Sequence, residues 1–179
     1  MNRYLAVLRG INVGGHKKIL MADLKNLFVN LGYDNVITYI QSGNVIFNSK
    51  YDKNVLEIAS HIEDGIKEKF GYEVPVIVIK KDDIIVAIDS NPYIGNYEIE
   101  KLCITFLKGT PDKDLVDSIS NYDVTPDIFE IIGKWIFICC FDSYHKSKVT
   151  NNFLENKLKV AATTRNWKTV LKLAEILED

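Results

Sequence analysis

The chain has 179 residues, of which 47 % are hydrophobic, and its formal net charge is −2. This composition supports a packed core and argues against a disordered chain. The sequence has no run of about 18 apolar residues that would form a transmembrane helix. The apolar stretch near the N-terminus is also too short for a signal peptide and has no small-residue cleavage site. We therefore expect a soluble cytoplasmic protein.

The first 80 residues predict the order β-α-β-β-α-β. "YLAVLRG" is typical of a strand, and "MADLKNLFVNLG" is typical of a helix because its leucines recur at helical spacing before Gly32. "VITYI" and "NVIFN" are predicted strands on either side of the turn "QSGN". A helix over "VLEIASHIEDGIKEKFG" and the strand "VPVIVIK" complete a ferredoxin-like unit.

The second half predicts β-α-β-β-α followed by a terminal helix. "KDDIIVAIDSNPY" indicates a short helix that ends at Pro92, and "DIFEIIGKWIFICCFD" indicates a hairpin. "KVTNNFLENKLK" and "RNWKTVLKLAEIL" are predicted helices, with Thr163 or Thr164 as N-cap of the last one and Arg165 in its first turn. We expect an α+β fold: a ferredoxin-like subdomain (1–82), a connecting helix and loop (83–100), and a second, related α+β subdomain (101–179).

The order of elements places two separate segments together. Each element of an antiparallel β-α-β-β-α-β unit reverses the chain direction, so the loop after the first strand and the turn between the second and third strands share one edge of the sheet. We therefore expect "GINVGGHKK" to lie beside "QSGN" (41–44), although about thirty residues separate them.

The net charge hides an uneven distribution. Residues 1–33 contain five basic residues and one acidic residue, and residues 143–174 contain seven basic residues and one acidic residue. Residues 34–142 contain 10 lysines and 19 acidic residues. This segregation favours an anionic partner. The alternative is two solvated faces that differ in charge without any functional reason.

The glycine-rich stretch resembles two phosphate-binding motifs and matches neither. Gly10 and Gly15 have P-loop spacing, but His16 and Lys17 stand where that motif needs Lys and Ser/Thr. The dinucleotide-binding glycine spacing is absent, as is the parallel sheet that it needs. Gly14–Gly15 could still form a nest of inward N–H groups that binds an anion. The alternative is a tight connection in which the glycines only make the turn.

Other polar residues extend this candidate anion site. Two of the three arginines, Arg9 and Arg165, fall in the unusual motifs, and the planar fork of arginine suits bidentate contact with phosphate. A structural pair between Arg165 and a carboxylate is the alternative. Lys146 and Ser147 lie near the start of a predicted helix. The predicted ligand-binding residues are Arg9, Asn12, Gly14, Gly15, Lys17, Lys18, Ser42, Asn44, Lys146, Ser147, Arg165 and Asn166.

Metal and catalytic signatures do not appear in the local sequence. The three histidines are scattered, and Cys103, Cys139 and Cys140 are expected to be reduced structural thiols. The sequence contains no nucleophile elbow and no His-Glu-x-x-His motif. We predict no metal site, and the sequence indicates no cofactor, catalytic group or oligomeric state.

"LRGINVGG", "TYIQSGNVIF" and "AATTRNWKTVLKL" together closely resemble the bacterial family known as domain of unknown function 1697. The resemblance extends from the start of the chain to its end. It implies a compact α+β protein with a ferredoxin-like part and supplies no activity. Family members commonly carry Arg-Ser-Lys-Leu before the penultimate helix, where this chain has Lys146-Ser147-Lys148-Val149. Lys146 keeps the positive charge of that arginine and lacks its fork.

Three functional hypotheses follow. The first is a cytoplasmic protein that binds a phosphate-bearing ligand, such as a nucleotide or an RNA end, at the glycine-rich loop. The second is a protein-interaction module that recognises an acidic partner through the same surfaces. The third is a transferase or hydrolase with His16 as base. We expect no membrane partner.

Overall fold

The structure is a computed structural model that describes residues 2–50 and 54–178. The chain divides into two compact units. Unit 1 comprises Met1–Ile85 and Leu173–Asp179, and unit 2 comprises Val86–Lys172. The subdomain boundaries expected from the sequence stay a prediction. Within the described residues, no helix combines the length and the apolar character needed to cross a membrane.

Unit 1 has the ferredoxin-like order predicted from the sequence. Its sheet is antiparallel, with the strand order β2-β3-β1-β4. The last strand continues without a loop into a helix whose first residues, through Ile85, belong to this unit. The elements are β1 (Asn2–Leu8), α1 (Met21–Asn30), β2 (Asp34–Tyr39), β3 (Asn44–Ser49), α2 (Val55–Phe70), β4 (Val76–Lys80) and α3 (Lys81–Asp89).

Unit 2 repeats the plan of unit 1. Its antiparallel sheet has the strand order β6-β7-β5-β8, which is the same arrangement one repeat later. The protein is therefore an α+β fold built from two related halves. The elements are β5 (Leu102–Leu107), α4 (Lys113–Ser120), β6 (Ile128–Ile132), β7 (Trp135–Cys139), α5 (Asn151–Leu158), β8 (Ala162–Asn166) and α6 (Trp167–Glu178).

Strand β8 corrects the prediction for the end of the second half. Arg165 does not lie in a helix, because residues 162–166 pair with β5 in an antiparallel ladder that sets Arg165 opposite Ile104. The helix α6 begins at Trp167, and its cap is Asn166, whose side-chain oxygen accepts a hydrogen bond from Thr169 N at 2.8 Å. The prediction of Thr163 or Thr164 as N-cap was wrong.

Helix ends elsewhere follow local sequence signals. Asn54 caps α2 by accepting a hydrogen bond from Leu56 N at 3.0 Å, and Gly71 ends that helix with φ of +73°. Thr150 caps α5 by accepting a hydrogen bond from Phe153 N. These contacts are typical helix boundaries, each contributing about 1 kcal/mol.

The core of unit 1 packs one face of the sheet against α1 and α2. Tyr4, Phe28, Tyr33 and Phe47 form a connected aromatic cluster with ring centroids 4.7–5.9 Å apart. All four are at most 4 % exposed. Burying side chains of this size contributes roughly 1.5–3 kcal/mol each. The packed sheet and helices thus provide a firm base for the loops at the sheet edge.

The last turns of α6 belong to unit 1. Arg3, in β1, donates from its Nη2 to the carbonyl oxygen of Ile176 at 2.7 Å. This bond gives a partner to one of the carbonyls that a helix end leaves unpaired.

Candidate functional site

A long connection joins β1 to α1, and we call it the glycine loop (residues 9–20). It starts between two neighbouring strands of the sheet. Leu8 N donates to the carbonyl of Gly43 at 2.8 Å, and Arg9 N donates to the carbonyl of Pro75 at 2.9 Å. The β2–β3 turn (residues 40–43) therefore meets the chain at Leu8, directly before the glycine loop.

The tip of the glycine loop is a miniature hairpin. Val13 and His16 form an antiparallel bridge, and His16 N donates to the carbonyl of Val13 at 3.0 Å. Gly14 and Gly15 lie between them with φ of +58° and +79°. Two consecutive positive φ angles are typical of a two-residue type I′ turn, which favours glycine at both positions. The sequence left two roles open for these glycines, an anion-binding nest and a tight turn. The turn explains why glycine stands at both positions, and Gly15 also lines a cavity.

Asn12 closes the base of this hairpin. Its Nδ2 donates to the carbonyls of Ile19 at 2.9 Å and Gln41 at 3.0 Å, and its Oδ1 accepts from Ile19 N at 2.9 Å. The bond to Gln41 confirms that the loop and the β2–β3 turn are neighbours. Both amide hydrogens of Asn12 are used in this way. Asn12 therefore shapes the site and has no donor left for a ligand.

Gly43 allows the turn to approach the loop this closely. A β-carbon at this position would lie 2.8 Å from Leu8 Cβ and 2.8 Å from Ile11 Cδ1. Its φ of +80° also lies in the left-handed region that glycine adopts without strain. Space and backbone conformation thus both require glycine here.

A cavity of about 370 Å³ opens between the glycine loop, the start of α1 and the β2–β3 turn. One wall is polar and carries a positive charge, and the other is aliphatic. The lining residues are Asn12, Gly15, Lys18, Ile19, Leu20, Met21 and Gln41. The sequence predicted three of them as ligand-binding residues and missed four, which are Ile19, Leu20, Met21 and Gln41.

Lys18 and Gln41 provide the available polar groups of the cavity. Both are exposed, and neither side chain has a hydrogen-bond partner among residues 2–50 and 54–178. Leu20 stands at the N-cap of α1 and makes no side-chain cap bond, while Asp23 places a negative charge in the first helical turn. Because Asp23 already offsets the helix dipole, attraction for an anion in this cavity comes from Lys18.

The other predicted residues of unit 1 support the loop. Lys17 Nζ donates to the carbonyl of Glu73 at 2.5 Å, which ties the loop to the segment before β4. A hydrogen bond from Lys67 lowers the pKa of Glu73, with a smaller contribution from Lys17. Asn44 is fully buried and donates to Ser42 Oγ at 3.1 Å. Asn44 therefore holds the turn from beneath and lies beyond the reach of a ligand.

The remaining predicted residues belong to unit 2. Lys146 forms an exposed ion pair with Asp142 at 2.8 Å. Ser147 is buried, and its hydroxyl oxygen accepts from Val149 N at 3.0 Å. Asn166 caps α6. The structure thus brings together the candidates of the glycine loop and the β2–β3 turn in unit 1, and it places the others in unit 2 in structural contacts of their own.

Arg165 is 8 % exposed. Its Nη1 donates to Thr163 Oγ1 at 3.0 Å and to the carbonyl of Thr164 at 2.9 Å. Burial lowers the pKa of Arg165 to about 10. The hydroxyl of Thr164 bonds Asn151 of α5 at 2.7 Å, so Arg165 points to the opposite face of the sheet. These contacts indicate a buried side chain that is held by its own strand.

A second cavity of unit 1, of about 450 Å³, lies at the opposite end of β1. Arg3, Lys80 and Lys81 line it together with Asp82 and Glu178. The acidic residues offset much of the positive charge, and Arg3 already binds the end of α6. This cavity is therefore a weaker anion site than the one at the glycine loop.

The cysteines lie in the interior of unit 2. Cys103 and Cys140 are both buried and joined by a hydrogen bond, which raises the pKa of Cys103 and lowers that of Cys140. Cys139 is also buried, and all three thiols are free. His16 is exposed at the tip of the hairpin, where the contact described above is made by its backbone.

The family described as "Protein of unknown function (DUF1697)" matches residues 1–137. The chain belongs to this family. The match includes the glycine loop, the β2–β3 turn and the cavity between them.

A search of curated proteins finds no match. Among solved structures, the fold is similar to that of the conserved bacterial protein SP0830 from Streptococcus pneumoniae. The two share 24 % sequence identity over 100 % of this chain and 99 % of that one, with a TM-score of 0.81. The likeness extends over both units and shows the fold alone.

Proposed function

We propose that the protein is cytoplasmic and binds an anionic, phosphate-bearing ligand in the cavity at the glycine loop. The observation that carries this proposal is the ammonium of Lys18, which has no partner within the described part of the chain, in a cavity of about 370 Å³. Pockets of roughly 300–1,000 Å³ with a few polar groups on a mainly apolar lining are typical of small-molecule sites. Lys18 supplies the charge that a phosphate needs.

The rigidity of the loop supports the proposal. Asn12 fixes the base of the hairpin with three hydrogen bonds, and Lys17 ties the loop to the carbonyl of Glu73. A loop that is ordered before binding loses less conformational entropy when a ligand arrives. These residues would thus act on affinity through the shape of the cavity, while Lys18 would contact the anion.

Thermal unfolding with and without phosphate compounds tests the proposal. Inorganic phosphate, pyrophosphate, ribose 5-phosphate and nucleoside monophosphates are the probes. A ligand that binds only the folded state stabilises it by about 2.7 kcal/mol at 100 times its Kd. We expect at least one probe to raise the Tm, and Lys18→Ala to weaken its binding by roughly tenfold or more, because a hydrogen bond to a charged group is lost.

Lys113→Ala is the matched control, because Lys113 is an exposed lysine at the start of α4 in unit 2. It removes the same charge and is expected to leave binding unchanged. Equal losses of affinity in both variants would show that the effect comes from the net charge of the protein and not from Lys18 in the cavity. No Tm shift with any probe would contradict the proposal.

A second function has one observation in its favour. Val13, Leu20 and Ile40 are exposed by 63 %, 73 % and 47 % on the glycine loop and the β2–β3 turn. Exposed apolar side chains beside a positive charge also suit a protein partner with an acidic segment. Under this alternative, a hexaglutamate peptide raises the Tm and the phosphate compounds do not.

A further inference from the structure

The two walls of the glycine-loop cavity differ in chemistry. Lys18 and the carboxamide of Gln41 lie on the polar side, and Leu20 and Met21 form the aliphatic side. Leu20 is 73 % exposed, so a large apolar surface stands open at the mouth of the cavity. Covering that surface with a flat apolar group would be favourable. A phosphate alone would leave it exposed.

The carboxamide of Gln41 is the second recognition group. Only the backbone carbonyl of Gln41 is engaged, by Asn12 Nδ2 at 3.0 Å, and the side chain has no partner within the described residues. A carboxamide offers one donor and one acceptor side by side. In nucleic-acid recognition, asparagine and glutamine contact adenine with two hydrogen bonds, through its N6 amino group and N7.

The size of the cavity limits the ligand to a single nucleotide or a molecule of similar size. Its volume of about 370 Å³ is near the lower end of small-molecule sites. The three features, in sum, are a cation for phosphate, an aliphatic surface for a flat ring, and a carboxamide for an amino-purine edge.

We infer that the cavity binds an adenine mononucleotide, with the phosphate at Lys18, the base against Leu20 and the adenine edge at Gln41. This inference rests on the proposed function and adds the class of ligand. Binding is non-covalent, and no bond is made or broken in it.

Calorimetric titration of the full chain tests the inference. The probes are AMP, GMP, CMP, adenosine and ribose 5-phosphate. We expect AMP to bind on the order of tenfold or more tightly than GMP, CMP or ribose 5-phosphate, since a bidentate base contact gives discrimination of that size. Adenosine should bind more weakly than AMP because it lacks the phosphate that Lys18 holds.

Gln41→Leu separates the base contact from the phosphate contact. It keeps a side chain of similar length and removes the donor and acceptor. We expect AMP to fall to the affinity of ribose 5-phosphate in this variant, while ribose 5-phosphate itself binds as in the unchanged protein. Circular dichroism checks that Gln41→Leu is folded, and Gln41→Ala serves as a second variant if it is not.

Several outcomes would overturn the inference. Equal affinity for AMP and ribose 5-phosphate would show that the base is not recognised, and it would not contradict the proposed function. Tighter binding of GMP or CMP, or unchanged AMP binding in Gln41→Leu, would contradict adenine recognition by Gln41. Failure of every phosphate compound to bind would instead contradict the proposed function and the inference together.

Discussion

The two units share one topology, and they differ in the connection between their first strand and first helix. In unit 1 this connection is the glycine loop, residues 9–20, and in unit 2 it is residues 108–112. Asp112 caps α4 by accepting from Asp114 N at 2.9 Å, whereas Leu20 leaves α1 without a side-chain cap. A short, capped connection is therefore enough for this topology.

The hydrogen bonds that start the two connections are equivalent. In unit 2, Leu107 N donates to the carbonyl of Lys134 in the β6–β7 turn, and Lys108 N donates to the carbonyl of Ala161 just before β8. Leu8 and Arg9 make the same two bonds in unit 1. The glycine loop is thus an insertion at a position that is equivalent in the two units. An addition that folding does not need is a good place for function.

The largest expected effect contrasts the two hairpin turns. Gly43→Ala would force a β-carbon to within 2.8 Å of Leu8 and Ile11 at φ of +80°, and we expect a loss of about 3 kcal/mol or more in the free energy of unfolding. Gly133→Ala meets no atom within 4 Å at φ of +60° and should cost about 1 kcal/mol. Urea unfolding measures both. Equal losses would show that the turn of unit 1 is no more constrained than that of unit 2.

Arg165 provides a second test of the comparison, this time in unit 2. It faces Ile104 in the position that Ile79, facing Leu5, occupies in unit 1. We expect Arg165→Ala to lower the free energy of unfolding by about 2–4 kcal/mol without any ligand, because it empties a buried site and removes its hydrogen bonds. Arg165→Met should cost less, since it fills the space without burying a charge.

Chemical denaturation of these two variants provides the readout. A loss below about 0.5 kcal/mol for Arg165→Ala would match a surface residue. That result would make Arg165 a candidate ligand-binding residue again.

The smallest expected effect is an increase in stability. Tyr4 and Cys103 are equivalent residues of β1 and β5, and both are buried. Among residues 2–50 and 54–178, the hydroxyl of Tyr4 has no hydrogen-bond partner, whereas the thiol of Cys103 bonds Cys140. Tyr4→Phe removes an unsatisfied buried group and should stabilise the protein by about 1 kcal/mol. A lower Tm for Tyr4→Phe would indicate that the hydroxyl does bind a partner in solution.

Much of the fold could be predicted because its hydrophobic patterns are local. All elements of unit 1 follow from apolar periodicity and turn residues, and the reversal of direction between elements correctly placed Gln41 beside the glycine loop. Strand β8 was missed because Thr163, Thr164 and Arg165 are polar and precede a strong helical pattern. Its pairing with β5 is a long-range contact that no local signal reports.

The site was less predictable because burial of polar groups depends on distant partners. Asn44 has a side chain suited to a ligand, but it is fully buried beneath the turn. Gln41 lies three residues away, and its side chain lines the cavity. Both are amides within four consecutive residues, and only the three-dimensional packing distinguishes them. The exposure of Leu20 likewise depends on where the loop ends relative to α1.

The bond between Arg3 and Ile176 connects residues that are 173 positions apart in the chain. On a ribosome, the segment with the glycine loop is synthesised before unit 2, and the carbonyl that receives the Arg3 guanidinium is synthesised after unit 2. At about 5–20 residues per second, the interval is roughly 10–35 s. By the end of that interval unit 2 has all four strands of its sheet, the last of which ends at Asn166, while unit 1 still lacks a closing helix turn. The unit that begins first in translation is therefore the one that is completed last.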